Sequence, residues 1–197
     1  MNELCTEADL AELVARQKVY AVLTSYCRAL DRCDVDLMRS VYWDDGIDDH
    51  GVFSGNAAEF ADFIIREIQN WFEVTMHAIM NVHMEISGDV ACTESYLFAY
   101  HKVRGDIGKV EEIFGSRYMQ QFDWSRIEGV PHHFYYGGRY IDRLERRGGE
   151  WRIAKRTVVM DWNENVISGE ILDQGMFATL HPRGRRGPED LVFANWP

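Results

Sequence analysis

The segment HAIMNVHMEISGDVACTESYLFAYHKV, residues 77–103, decides the fold class of this 197-residue chain. Two runs within it, 77–86 and 90–103, are rich in the β-branched and aromatic residues that favour strands. The turn residues Ser87-Gly88-Asp89 separate the runs, so the segment is predicted to form a β-hairpin. A lone hairpin is at best marginally stable in water, so elements on either side must cover its apolar face.

A second hairpin is predicted towards the end of the chain. Residues 136–147 and 150–161 flank Gly148-Gly149, a pair that is favoured in two-residue hairpin turns. We expect residues 42–53 to add one more strand. The predicted sheet is therefore mostly antiparallel.

Three helices are predicted before the first hairpin. Residues 6–30 carry apolar residues at steps of three and four, which is the period of an amphipathic helix, and Thr6 is suited to cap its start. A short helix is expected from Asp34 and a third over about 56–72. Helices followed by antiparallel strands indicate an α+β fold, with the three N-terminal helices packed on one face of a curved sheet.

The chain length fits one domain with a tail. We assign residues 1–162 to the domain and 163–197 to a C-terminal extension, part of which is rich in Gly, Pro and Arg. The aromatic segment 104–134 is long for a connection between strands. Segments of this length usually have structure of their own or cover a site.

Composition narrows the range of partners. The net charge of −11 argues against a nucleic-acid groove or an anionic membrane surface. No apolar run is long enough to cross a bilayer, and the first residues do not resemble a secretion signal. The four cysteines form no CxxC pair and are interpreted as reduced thiols. We therefore expect a cytoplasmic protein.

Tyr26 and Asp31 are the first candidate functional residues. On a straight helix their side chains would diverge by about 140°, so they can converge only if Asp31 lies in a loosened last turn. The spacing alone favours a different role for Asp31, in which it caps the following helix together with Asp34.

His77 and Asn81 share one face of the first predicted strand of the hairpin. The opposite face holds the apolar residues Ala78, Met80 and Val82, and it is predicted to face the core. A single strand histidine is more often structural than catalytic. An aspartate beside it in an apolar cavity would change that, because a carboxylate orients the imidazole and raises its basicity.

Arg156 projects from an otherwise apolar strand face, and a buried charge there requires a partner. It either joins His77 and Asp31 in a cavity or forms an ion pair with a neighbouring strand through Asp142 or Glu145. His101, at the end of a strand, could reach the same cavity.

The acidic run 44–50, which ends in His50, offers carboxylate oxygens to a divalent metal ion. It lacks the alternation of a calcium-binding loop, and such runs are usually solvated turns. We predict no metal site. Patterns of nucleotide-binding loops, serine hydrolases and zinc peptidases are also missing from the sequence.

At these residues the chain resembles the SnoaL-like branch of the NTF2-like superfamily, whose members include scytalone dehydratase, bile-acid 7α-dehydratase and hexachlorocyclohexane dehydrochlorinase. The resemblance covers roughly residues 8–162 and implies a cone-shaped α+β barrel around a deep apolar pocket. It rests on the strings YCRALD (26–31), VYWDD (41–45), HAIMN (77–81), GDVA (88–91) and RRGGEWRI (146–153).

The resemblance also implies roles for individual residues. His77 matches the general base of these cofactor-free eliminating enzymes, and Asp31 matches the carboxylate that orients it. Tyr26 and Arg156 match further catalytic positions of the pocket. Substrate contacts are implied for four more residues: Tyr42, Trp43, Asn81 and His101.

The implied function is a cofactor-independent lyase that removes a proton from an apolar aromatic or polycyclic compound, by a dehydratase-type elimination. A lignin-derived diarylpropane that loses formaldehyde is one substrate of this kind. Two alternatives stay open: an isomerase or cyclase with the same base, and a non-catalytic binding or assembly subunit. Relatives of this branch imply a homodimer or homotrimer.

Overall fold

The computed structural model describes residues 5–195. Within these residues, six α-helices and six strands form an α+β arrangement, as predicted, and no described helix is long and apolar enough to span a bilayer. The helices are α1 (Glu7–Arg32), α2 (Val35–Ser40), α3 (Ala57–Trp71), α4 (Ile107–Phe114), α5 (Ser116–Met119) and α6 (Leu191–Asn195).

The strands form one curved, open, mixed sheet in the order β2-β1-β6-β5-β4-β3. They are β1 (Tyr42–Asp49), β2 (Ser54–Asn56), β3 (Phe72–Ser87), β4 (Val90–Gly105), β5 (Gly129–Arg147) and β6 (Glu150–Ile167). Strands β1 and β6 are parallel, and every other neighbouring pair is antiparallel. Both predicted hairpins are confirmed, with strands longer than the sequence pattern indicated.

Capping residues set the ends of the N-terminal helices. Thr6 and Asp9 form a reciprocal capping box at the start of α1, and Cys33 ends that helix in a left-handed conformation. Asp34 caps α2 by accepting the Leu37 N–H at 2.9 Å. These ends position Asp31 in the last turn of α1, directly above β3.

The core lies between the three N-terminal helices and the concave face of the sheet. For the first half of β3, the prediction of which side faces the core is wrong. Ala78 and Met80 are exposed, whereas His77 and Ile79 face inward. The register shifts between Met80 and His83, where Asn81 adopts a positive φ of 49°. This bulge exchanges the two faces, so from Val82 onward the predicted side packs against the core.

The segment 104–134 has structure of its own. It contains α4, α5 and a short 3-10 turn, and its aromatic residues pack around the buried His132, whose Nδ1 lies 2.9 Å from the Tyr118 hydroxyl. The Trp71 indole N–H donates to Glu112 at 3.1 Å and ties this segment to the end of α3. Of this segment, only Phe134 lines the cavity described below.

The C-terminal extension lies across the ends of α3 and β3. Strand β6 continues to Ile167, beyond the predicted boundary at 162. Arg186 donates from Nη1 to the carbonyls of Ile68 and Phe72, at 3.2 and 2.5 Å. Because these carbonyls belong to the last turn of α3 and the residue that caps it, a cation there is favourably placed against the helix dipole.

Candidate active site

A cavity of about 220 Å³ lies between the helices and the concave face of the sheet. Its wall is mainly apolar, and three imidazoles interrupt it: His50, His77 and His101. Apolar side chains from α1, α3 and four strands complete the wall: Leu30, Ile64, Ile68, Trp71, Phe72, Leu97, Ala99, Phe134, Tyr136, Tyr140 and Val158, with Val52 at the edge.

His77 and Asp31 form a close pair at this wall. Nδ1 of His77 lies 2.7 Å from Oδ1 of Asp31, and the backbone N–H of His77 donates to Oδ2 at 2.9 Å. The Thr75 hydroxyl also donates to Oδ1, at 3.0 Å. The side chains of His77 and Asp31 are 6% and 15% exposed.

The pair has the geometry of an oriented base. A carboxylate accepts only, so Nδ1 of His77 carries the proton and Nε2 carries the lone pair. Among residues 5–195, no protein group bonds Nε2, and the ring lines the cavity. Asp31 itself is not part of the cavity wall. The carboxylate therefore lies behind the imidazole and would stabilise the positive charge that the ring gains when it takes a proton.

His101 stands beside this pair as a neutral imidazole. Its ring meets that of His77 edge-on at 5.2 Å, and its Nδ1 lies 3.3 Å from the Phe134 carbonyl oxygen. Burial, followed by the proximity of His77, holds the pKa of His101 well below its usual value. Since the carbonyl requires a donor, Nε2 of His101 is left as an acceptor.

Arg156 and Tyr26 do not reach the cavity wall. Arg156 is fully buried and donates from Nε and Nη2 to the two carboxylate oxygens of Asp142, each at 2.7 Å. Its guanidinium lies between the rings of Tyr26 and Tyr140, at 3.8 and 4.1 Å from their centroids. The ion pair considered from the sequence is the arrangement found, because Asp142 is the cross-strand partner of Arg156 on β5.

Two groups of this buried cluster, Arg156 and Tyr26, have pKa values well above their usual ones. Burial alone would lower the pKa of Arg156, but the charge and hydrogen bonds of Asp142 raise it well above the usual value. Burial, and then the charge of Asp48, raises the pKa of Tyr26 well above its usual value. Tyr26 is thus a phenol near neutral pH and cannot act as a base.

Of the four predicted substrate contacts, only His101 lines the cavity. Tyr42 is buried behind the wall and donates to Asp48 at 2.5 Å. Trp43 donates to the Glu145 carbonyl and packs under Arg147 and Arg152 at the surface. Asn81 is exposed, because the bulge in β3 turns it away from the side that His77 faces.

A second imidazole–carboxylate pair at the cavity was not predicted from the sequence: His50 lines the wall, and Asp48 does not. Nδ1 of His50 lies 3.1 Å from Oδ1 of the fully buried Asp48. Both residues belong to the acidic run 44–50, which lies within the expected strand 42–53 but whose charges are typical of a solvated turn. In β1 the buried positions are Tyr42, Gly46 and Asp48, whereas Ile47 is exposed, and the charges of the run obscured this pattern in the sequence.

The model of the SnoaL-like domain family matches residues 11–157, which include most of the chain and every residue that lines the cavity except Val158. The chain belongs to the SnoaL-like family. No curated protein sequence matches it closely.

Solved structures agree with this family membership at the level of the fold. A hexachlorocyclohexane dehydrochlorinase from Novosphingobium barchaimii is similar at 16% identity and a TM-score of 0.63, over 83% of this chain and 96% of its own. A scytalone-dehydratase-like protein from Novosphingobium aromaticivorans is similar at 13% identity and a TM-score of 0.59, over 90% and 95%. At these identities the likeness establishes the fold alone.

Proposed function

We propose that this SnoaL-like protein is a cofactor-independent lyase in which His77 removes a proton from a carbon atom of an apolar aromatic or polycyclic compound. The observation that carries the proposal is the 2.7 Å contact of His77 with Asp31 at the wall of an apolar cavity. Departure of a group from the adjacent carbon completes the elimination. Similar structures of a dehydrochlorinase and a scytalone-dehydratase-like protein support this class of reaction.

The chemistry follows from the environment of each ring. His77 takes the proton at Nε2, and Asp31 stabilises the resulting imidazolium from behind. Nε2 of His101 can accept a hydrogen bond from a substrate hydroxyl and hold the substrate in place. General base assistance of this kind typically contributes about 10²–10⁴-fold to the rate, and an apolar wall strengthens it by excluding water.

The size of the cavity restricts the substrate. An engineered apolar cavity of about 150 Å³ binds benzene. A volume of about 220 Å³ therefore suits one aromatic ring with a short side chain, or two fused rings. A lignin-derived diarylpropane would fit only if one of its rings lay outside, beside the exposed Val52 at the cavity edge.

The proposal is tested by a turnover screen in buffer with a metal chelator. The panel contains bicyclic aromatic ketones with a leaving group β to the carbonyl, because their elimination gives an absorbing enone. We expect wild-type turnover of at least one compound and loss of that turnover in His77→Ala. His83→Ala is the matched control, since His83 lies on the same strand with a side chain 72% exposed.

The screen separates the three functions considered from the sequence. Wild type and His77→Ala behaving alike on every accepted compound would contradict the catalytic assignment of His77. Running the reaction in D₂O adds a second readout: deuterium incorporation with retention of the leaving group would identify an isomerase instead. Tight binding without turnover or exchange would identify a binding subunit.

We also propose that the protein assembles through the outer face of its sheet. Large apolar side chains are exposed there on neighbouring strands, among them Met76 and Met80 on β3 and Phe98 on β4. The Phe98 ring continues this surface towards Tyr135 and Trp162, at 6.1 and 6.2 Å. A contiguous apolar patch of this kind usually marks an interface, here with a second copy of the chain.

Changing Phe98 to Glu is expected to shift the protein from a dimer or trimer to a monomer, because the interface would have to bury an unpaired carboxylate. Light scattering after gel filtration measures the mass. Leu13→Glu is the control, since Leu13 is also an exposed apolar residue but lies on α1, away from the outer face of the sheet. A monomeric wild type, or dissociation by Leu13→Glu alone, would contradict the assignment of this face.

A further inference from the structure

The cavity contains a second imidazole that a buried carboxylate holds from behind. His50 follows β1 directly, lines the cavity, and has a side chain 19% exposed. Its Nδ1 faces Asp48, and its ring stacks on Phe60 of α3 at 5.0 Å. Among residues 5–195, Nε2 of His50 has no protein partner. The arrangement repeats that of His77 and Asp31 on a different wall of the same cavity.

Asp48 is a buried acceptor with a partner for each of its two side-chain oxygens. It is fully buried, accepts the Tyr42 hydroxyl at Oδ2 at 2.5 Å, and is the cross-strand partner of Arg156 on β6. A buried carboxylate persists only where hydrogen bonds and positive charge compensate for lost hydration. Tyr42 occupies Oδ2 of Asp48, so Oδ1 is the oxygen that faces Nδ1 of His50, and the other ring nitrogen of His50 is left for the cavity.

We propose that His50 is the general acid that protonates the leaving group, and that the substrate therefore loses an oxygen group as water or an alcohol. The inference rests on the proposed lyase function and adds the class of leaving group to it. A protonated His50, whose charge Asp48 stabilises, donates from Nε2 to the departing oxygen.

The step balances with two imidazoles. Nε2 of His77 takes the proton from carbon, and the electron pair of that C–H bond forms the C=C double bond. The C–O bond breaks with its electron pair on oxygen, which takes the proton from His50. His77 ends protonated and His50 neutral, and exchange with solvent restores both.

A general acid is needed for an oxygen leaving group but not for a halide leaving group. Hydroxide and alkoxide are strongly basic leaving groups and depart readily only with a proton, whereas chloride departs as a stable anion. An enzyme that eliminates only a halide would gain nothing from a second oriented imidazole. The pairing of two carboxylate-held histidines in one cavity therefore favours a hydroxylated or ether-linked substrate.

The test compares His50→Gln with wild type on matched substrates, 3-hydroxyindan-1-one and 3-chloroindan-1-one, with the spontaneous reaction subtracted. We expect the ratio of kcat/KM for the hydroxy compound to that for the chloro compound to fall by about 10²-fold or more, in the range of general acid catalysis. A second variant, His50→Ala, is assayed with and without free imidazole, which should restore turnover of the hydroxy compound selectively.

The outcomes separate the two proposals. An unchanged ratio in His50→Gln, or no selective rescue of His50→Ala, overturns the role of His50 while the His77-dependent elimination stands. Wild-type turnover of neither compound, or turnover that His77→Ala retains, overturns the elimination together with this inference. Thermal unfolding of both variants shows whether each is folded, and the imidazole rescue reads out only the folded fraction.

Discussion

Asp142→Ala is expected to lower the free energy of unfolding by about 3–5 kcal/mol, because it leaves the guanidinium of Arg156 buried without its partner. Both side chains of the pair are fully buried, and their two hydrogen bonds are 2.7 Å long. The rings of Tyr26 and Tyr140 contact the cation but cannot accept its N–H groups as a carboxylate does. A loss of this size is a large part of the stability of an ordinary domain.

Urea unfolding followed by circular dichroism measures the loss, and two variants serve as controls. Asp161→Ala breaks the Arg139 pair across the same two strands, but the side chains of that pair are 30% and 38% exposed, so we expect a much smaller effect. The double variant Asp142→Leu/Arg156→Met removes both charges and should recover most of the stability. Equal effects of Asp142→Ala and Asp161→Ala would contradict the role given to the buried pair.

Local sequence signals predicted the elements well. The caps Thr6 and Asp34, the pair Gly148-Gly149 and the period of α1 each act over a few residues, so they can be recognised without knowing the tertiary structure. The hairpin strands extend further than predicted, because pairing along β4 and β5 continues through residues without a strand pattern, such as His132 and His133. Tertiary hydrogen bonding decides those ends.

The functional site was less accessible to local reasoning. Spacing alone favoured a capping role for Asp31, and only the family resemblance paired it with His77. Their contact joins residues 46 positions apart, so no local pattern contains it. The sequence pattern predicted the wrong orientation for His77, because the bulge at Asn81 interrupts the regular alternation of inward and outward side chains along β3.

The family resemblance implied several pocket residues, and the structure places only some of them near the His77–Asp31 pair. His101 stands against His77 and lines the cavity, whereas Tyr26 and Arg156 form a layer behind Tyr140. In this chain Asp142 holds the guanidinium away from the cavity. Family resemblance can identify where a residue such as Arg156 lies in the fold. It does not identify the partner of its side chain, which here comes from the neighbouring strand.

Asp31→Asn is expected to lower kcat by about 10²–10⁴-fold with little change in KM, because it exchanges the proton between the two nitrogens of His77. The backbone N–H of His77 needs an acceptor, so the amide oxygen of the new side chain would take the place of Oδ2. The amide NH₂ then faces Nδ1 and donates to it. Nε2 becomes the protonated nitrogen, and the lone pair facing the cavity is lost.

Nitrogen NMR of the histidines detects this exchange without any substrate, and steady-state kinetics on the compound accepted by the wild type measures its effect. Asp34→Asn is the matched control: Asp34 caps α2 three residues further on and lies outside the cavity wall, so its variant should keep both the tautomer of His77 and the rate. A reversed tautomer with full activity would show that Nε2 of His77 is not the base. An unchanged tautomer with reduced activity would contradict the orienting role of Asp31.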